Sequence, residues 1–291
     1  MLVNAAGMLK AAKAGHYGIA AFNTNDLEWT RSILTAAEET QSPVIIQCTS
    51  GAAKWQKGFQ VVADVVRDML DSMDITVPVA LHLDHGSYED CFKCIDAGFT
   101  SIMYDGSHEA EFQTNIDRTK ELVKLAHQKG LSIEAEVGGI GGTEDGVTAE
   151  GELADPEQCE AIANLGVDFL ACGIGNIHGP YPADWKGLNF DQLAAIQEKT
   201  GDLPLVLHGG SGIPKEQVLK AVSLGVAKIN INTELQLSFH SAMRAYVESG
   251  KDLEGKNYDP RKFLKPGFDA ITETAEGLIR DFGSDGKGWN F

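Results

Sequence analysis

The sequence predicts an α/β fold, a closed (β/α)8 barrel followed by an extended helical tail. Three observations point to it. Short apolar runs rich in Val and Ile alternate with longer segments of helical period. The alternation repeats eight times, the count that closes a parallel sheet into a barrel. Each run ends in a polar residue, and a barrel of this kind carries its chemistry at the carboxyl ends of its strands. The 291 residues suit a single domain, since such a barrel takes about 250 residues. Residues 251–291 form its tail.

In chain order the predicted strands are "YGIAAFN" (17–23), "PVIIQCTS" (43–50), "PVALHLD" (78–84) and "SIMYDG" (101–106). Then come "SIEAEVG" (132–138), "FLACGIGNIHG" (169–179), "PLVLHGG" (204–210) and "AKININ" (227–232). Between them lie amphipathic helices such as "LEWTRSILTAAEET" and "EAEFQTNIDRTKELVKLAHQKG". Two segments exceed ordinary connections. "GGIGGTEDGVTAEGELADP" (138–156) is a long Gly-rich loop, the kind that serves as a lid or binding loop. The tail "KDLEGKNYDPRKFLKPG" from Lys251 leads into a last amphipathic helix from about Phe268 to Arg280.

Composition removes several classes of function. Lys and Arg number 24 against 42 Asp and Glu, a net charge of −18. Such a chain lacks the electrostatic footprint for nucleic acid or anionic lipid, so a phosphorylated substrate needs a local pocket that overrides the global field. The five cysteines are odd in number and scattered, which points to a reducing compartment. Cys91 and Cys94 have redox or metal spacing but sit in a helical pattern, and they read as a buried helix face. The N-terminus has no signal-peptide profile, and no apolar run reaches the ~18 residues of a membrane span. A soluble, cytoplasmic protein is expected.

The strand ends in order are Asn23, Ser50, Asp84 with His85, Asp105, Glu136, His178, His208 and Asn230. Of the eight histidines, His16, His127 and His240 read as surface or satisfied core residues, and His108 as a loop residue. His82 lies inside its strand and reads as a packing or hydrogen-bonding group. His85, His178 and His208 differ: each ends an apolar run and is followed by glycine, which lets backbone or ligand approach. Three histidines from three strands make a Zn²⁺ site with an open fourth position, as catalytic zinc requires. "HGGSG" (208–212) and "NINT" (230–233) end the last two strands and open helices. Loops there are the usual barrel phosphate site, and helix N-termini hold anions.

The motifs "HLDHG", "EAEVGGIGGTEDG", "GIGNIHGPY", "LVLHGGSGIP", "KININ" and "YDPRKF" together resemble the class II, metal-dependent fructose-bisphosphate aldolases of the shorter bacterial subgroup. The tagatose-bisphosphate aldolases are close relatives. The resemblance runs over essentially the whole chain. It implies a lyase that reversibly cleaves fructose 1,6-bisphosphate to dihydroxyacetone phosphate and glyceraldehyde 3-phosphate. His85, His178 and His208 would hold the catalytic Zn²⁺, with Asp105 and Glu136 forming an alternative, outward metal position. Asp84 would exchange a proton with the aldehyde oxygen, and Glu144 with the carbon next to the ketone. Asn23, Gly179, Gly209, Gly210, Ser211 and the run Asn230, Ile231, Asn232, Thr233 would surround dihydroxyacetone phosphate. A second divalent metal and a monovalent cation (Na⁺ or K⁺) belong to the implied cofactor set. Ser50, or Thr49 in an alternative alignment, would contact glyceraldehyde 3-phosphate. Arg261 would reach the far phosphate across the interface of a homodimer or homotetramer.

Carbon–carbon cleavage leaves a carbanion next to a ketone, and a Lewis-acidic Zn²⁺ is a suitable electron sink. The rival readings are weaker. A Schiff-base aldolase through Lys228 would leave three strand-end histidines without purpose. A zinc hydrolase wants a His-x-His pair on an early strand, where this chain has "AFNTND". A non-catalytic sugar-phosphate sensor has no use for Asp84 and Glu144. Fructose against tagatose bisphosphate, dimer against tetramer, and Zn²⁺ against Co²⁺ or Mn²⁺ stay open at the level of sequence.

Overall fold

The computed structural model of the protein describes residues 1–144 and 147–289, with the backbone alone of Glu144, Val147 and Ala149. Its strands are β1 (Ile19–Asn23), β2 (Val44–Cys48), β3 (Val79–Gly86), β4 (Ser101–Tyr104), β5 (Ser132–Val137), β6 (Gly141–Glu144), β7 (Val147–Ala149), β8 (Phe169–Cys172), β9 (Ile177–His178), β10 (Leu205–Leu207) and β11 (Val226–Ile231). Eight of them close a barrel in the order β1-β11-β10-β8-β5-β4-β3-β2. All eight pairings are parallel, and the ring is sealed where Ile19 stands opposite Lys228.

The period of two along each strand divides the core into two layers. Outward residues such as Phe22, Val44, Ile46, Leu81 and Ile133 pack under the helices. Inward residues Ile19, Ala21, Ile45, Ala80, Met103, Phe169, Ala171 and Val206 fill the barrel. The helix Ala6–Gly15 closes its amino end, burying Met8, Leu9 and Ala12 against that inner cluster. Polar side chains interrupt the inner layer at Gln47, His82, Ser101, Ser132, Glu134 and Lys228, all buried.

Local chemistry explains the helix boundaries. Asp26 caps the helix Leu27–Glu39 by accepting from Trp29 N at 2.7 Å, and Ser87 caps Tyr88–Ala97 in the same way. Cys91 and Cys94 lie buried on that second helix, as the pattern suggested, and burial pushes both thiols up. The last helix spans Lys265–Phe282 and so starts earlier than expected. Pro266 is tolerated in a first turn, where its missing N–H has no partner to lose. Gly267 there lies against Phe239, whose ring a Cβ would meet at 2.4 Å.

Two expectations need correction. "FLACGIGNIHG" is not one strand: β8 stops at Cys172, and β9 resumes at Ile177 outside the barrel. A Cβ at Gly173 would lie 2.0 Å from Glu152 O, so the chain squeezes past the 138–156 segment at a glycine and leaves the barrel. That segment is not an irregular loop either. β6 and β7 pair antiparallel through Thr143 and Thr148, and β6 pairs parallel with β9. Among the described residues no helix is long and apolar enough to cross a membrane.

Ile271 and Ile279 of the last helix are fully buried. Ile271→Ala is expected to destabilise the fold by about 2–5 kcal/mol, as lost burial plus cavity. Urea unfolding should show this, with metal affinity of the folded protein unchanged.

Candidate active site

The carboxyl rim gathers the polar strand ends, and β3 is bent to do so. Its pairing with β4 shifts register between Leu83 and Gly86, and His85 adopts φ +47°. A left-handed residue with a Cβ costs about 1–2 kcal/mol, and bulges of this kind re-aim side chains. Asp84 and His85 are neighbours in sequence, yet both therefore serve the barrel mouth.

His178 arrives on β9, wedged between the hairpin and the loop after β10. A Cβ at Gly142 (φ +91°) would lie 2.1 Å from His178 O, and one at Gly209 (φ +62°) 2.0 Å from Ile177 O. Only glycine permits that approach. Asn176 Nδ2 donates to His208 O (3.0 Å), and Tyr181 Oη donates to Gly209 O (2.8 Å). These two bonds tie the loop bearing His178 to the one bearing His208.

Ligand-type nitrogens of His85, His178 and His208 lie within 4.8 Å of one another, and His85, Asp105 and Glu136 form a second such group. Two of the imidazoles are held from behind by carboxylates. His85 Nδ1 stands 2.8 Å from Asp105 Oδ2, and His208 Nε2 stands 2.8 Å from Glu134 Oε1. Their remaining nitrogens, His85 Nε2 and His208 Nδ1, face each other at 2.8 Å. Two lone pairs cannot rest at that distance without a proton or a metal ion between or beside them. Three imidazoles, two of them oriented by carboxylates, fit a divalent cation such as zinc.

The electrostatics are uneven. Burial alone would lower the His85 pKa, but Asp84, Asp105 and Glu136 outweigh it and raise it to about 10. Burial, then the neighbouring rings of His85 and His208, lower His178 to about 3, while burial, His85 and Lys228 lower His208 against the pull of Glu134. Burial and the nearby Asp105 hold Glu136 well above the usual carboxyl range. Asp84 and Asp105, both held low, face one protonated imidazole, His85, and this excess of negative charge favours a bound cation.

Asp84 is buried and clamped by three amides. Its Oδ2 accepts from Asn23 Nδ2 and Gln47 Nε2, each at 3.0 Å, and its Oδ1 accepts from Asn230 Nδ2 at 3.1 Å. Burial would raise its pKa; His85, His208, Lys228 and the Asn23 bond more than offset this, so the carboxyl is held low. Above it opens a cavity lined by Asn23, Asp84, His178, Gly179, Gly209, Ser211, Asn230, Asn232 and Thr233. The 16-residue helix Thr233–Glu248 begins at its wall, so the positive end of that helix faces the cavity.

Most of the expected site residues therefore meet. Some do not. Ile231 turns its side chain into the layer under the helices, because alternation gives the mouth only Asn230 and Asn232. Gly210 lies beneath the cavity wall and donates its N–H to Asn230 O at 2.9 Å. Thr49 and Ser50 follow β2 but do not line the cavity: Thr49 Oγ1 caps the helix Ser50–Trp55, and Ser50 Oγ donates to Asp90 Oδ2 at 2.7 Å. Arg261, in the short helix Pro260–Phe263, is exposed and paired with Asp259 at 2.7 Å, and does not line the cavity. The Glu144 side chain lies outside the described residues; its backbone ends β6, the strand paired with β9.

Sequence reasoning missed Gln47, Glu134, Asn176 and Tyr181. A signal existed for two of them, since Gln47 is the polar residue within "VIIQC" and Glu134 precedes Glu136 by one period of a strand. Lys228 has no free amine to offer a ketone. Its Nζ is fully buried and 2.8 Å from Glu134 Oε2.

Fold and site together define a (β/α)8-barrel enzyme with a centre built for a divalent metal. The chain belongs to the class II fructose-bisphosphate aldolases, a lyase family: the family described as "Fructose-bisphosphate aldolase class-II" matches residues 3–287. It is 52% identical to the fructose-bisphosphate aldolase of Mycoplasma pneumoniae, covering 99% of this chain and 100% of that one. It is 50% identical to that of Streptococcus pneumoniae serotype 4, covering 98% and 99%. Among solved structures it resembles the YdjI aldolase from Escherichia coli K12 (33% identity, TM-score 0.83, 99% and 100% covered). It also resembles a fructose-bisphosphate aldolase from Campylobacter jejuni (25% identity, TM-score 0.83, 98% and 97% covered).

With His85 raised to about 10, the metal-free protein carries a proton there that a cation must displace. Binding at pH 7 is expected to release about one proton per ion, and apparent affinity to rise about tenfold per pH unit for as long as the metal-free protein holds that proton. Calorimetry in buffers of different ionisation enthalpy counts that proton.

Proposed function

We propose that the protein cleaves fructose 1,6-bisphosphate reversibly to dihydroxyacetone phosphate and glyceraldehyde 3-phosphate, with Zn²⁺ held by His85, His178 and His208. The observation that carries the reading is the amide-clamped Asp84 at the edge of a three-histidine centre. The bound ion supplies Lewis acidity, withdrawing charge from the substrate's oxygens. Asp84, kept ionised, accepts the hydroxyl proton in cleavage and returns it in condensation. The amides of Asn23, Gln47 and Asn230 hold that carboxylate in one orientation, so little reorganisation accompanies the transfer. Gly179, Gly209, Ser211, Asn232 and Thr233 enclose one phosphate at the N-terminus of Thr233–Glu248, far enough from the reacting bond to orient it.

Glu144, on the hairpin beside β9, is assigned the proton exchange at the carbon next to the ketone. Asp105 and Glu136 with His85 are assigned an outward position for a second divalent metal, and a Na⁺ or K⁺ ion accompanies the phosphate. Ser50 or Thr49 serves the aldehyde side. Arg261, exposed on its own protomer, is assigned to the far phosphate in a partner's site within a homodimer or homotetramer. The names of the relatives favour the fructose epimer over tagatose 1,6-bisphosphate, which differs at one stereocentre. Cleavage rates on both epimers, beside metal analysis of the purified protein, test the assignment.

Asp84→Ala is expected to keep its zinc and lose about 10²–10⁴-fold in turnover. His178→Ala should lose both. Release of glyceraldehyde 3-phosphate at the normal rate by either variant would contradict the roles given. Arg261→Ala is expected to raise KM for the bisphosphate by about tenfold or more, the scale of a lost charge-assisted pair to phosphate; unchanged kinetics would remove Arg261 from the site.

A further inference from the structure

Lys228 and His82 are buried beneath the metal centre, and neither takes part in the chemistry above. Both converge on Glu134. Lys228 Nζ lies 2.8 Å and His82 Nε2 3.2 Å from Glu134 Oε2, while Glu134 Oε1 faces His208 Nε2 at 2.8 Å. His82 in turn belongs to a column of polar groups through the barrel's interior. The backbone N–H of Ala5, at the head of the helix closing the amino end, meets Ser132 Oγ at 2.9 Å. Ser132 Oγ is 2.9 Å from Ser101 Oγ, which is 2.7 Å from His82 Nδ1.

A backbone N–H can only donate, so Ser132 accepts from Ala5 and passes its own hydroxyl proton to Ser101, which adjoins His82 Nδ1. A carboxylate can only accept. Glu134 therefore receives Lys228 on one oxygen and the Nε2–H of His208 on the other. His208 is left with its bare nitrogen, Nδ1, toward the centre.

We infer that Glu134, anchored by Lys228, is the positioning residue that selects the His208 tautomer and thereby presents Nδ1 to the metal ion. The inference rests on the assignment of His208 as a ligand. An ordinary reading of the buried Lys–Glu pair as fold stabilisation leaves unexplained why the second carboxylate oxygen is spent on a ligand.

The test compares the wild-type protein with Lys228→Met/Glu134→Gln, which removes both charges at nearly constant shape and leaves the net charge of the site unchanged. An amide can donate as well as accept, so the variant no longer dictates the tautomer. Co²⁺ affinity, by chelator competition, is expected to fall about 10–100-fold, with an altered Co²⁺ absorption spectrum and an unchanged circular dichroism spectrum. A folded variant that binds Co²⁺ within about twofold of wild type, with the same spectrum, overturns the inference. Should the variant not fold, ¹⁵N NMR of the zinc-loaded wild type decides. His208 should carry its proton on Nε2, and a proton on its Nδ1 overturns the inference. If wild type itself binds no Co²⁺ or Zn²⁺, the metal-centre assignment fails first, a result distinct from equal binding by both proteins.

Discussion

Two imidazole nitrogens, His85 Nε2 and His208 Nδ1, are brought to 2.8 Å of each other while the other nitrogen of each ring is committed to a carboxylate. Most of the site's construction answers that constraint. The rings cannot turn away without breaking the bonds to Asp105 and Glu134. They cannot both be protonated on the facing atoms at that distance. The arrangement is compatible with one shared proton or one metal ion, and the surplus of buried carboxylate favours the doubly charged occupant.

The fold pays for this centre with local strain and with glycine. His85 is held in a left-handed conformation at a bulge, and two glycines are required where β9 is pressed between hairpin and loop. Such departures from regular geometry persist only when the surrounding structure over-determines them. Here the closed barrel does so, since its eight paired strands fix the rim from which the bulge and the loops project. The inner polar residues extend the same support downward, from His208 through Glu134 to the helix at the amino end. Rigid support at one end of the barrel and a hairpin at the other suit an enzyme that must hold an ion still and yet admit a sugar phosphate.

The net charge of −18 gives the cavity its own problem, because the substrate is itself anionic. The answer lies in backbone geometry more than in basic side chains. The cavity wall carries glycines, amides, hydroxyls and a helix N-terminus, and no Lys or Arg among its lining residues. Oriented N–H dipoles attract phosphate without adding a mobile charge beside the metal. Arg261 and Lys265 instead stand on the exterior, at and just before the start of the last helix.

The sequence by itself determined the barrel and the rim. Strand and helix periods are local properties, so eight apolar runs, their polar ends and the Gly-rich loops could be read directly, and family motifs added the roles of His85, His178, His208 and Asp84. Tertiary structure decided what depends on distance between strands. Glu134 comes within reach of His208 and Lys228 only through the closure of β5, β8, β10 and β11 into one barrel. Gln47 and Asn23 became the clamp on Asp84 only through the pairing of β1, β2 and β3. The break of the sixth predicted strand into β8 and β9 came from the segment packing against it, through contacts of Gly141 with Ile177 and of Glu152 with Gly173 that no local period records. Periodicity says which face a side chain takes; only closure of the sheet says which other side chains share that face.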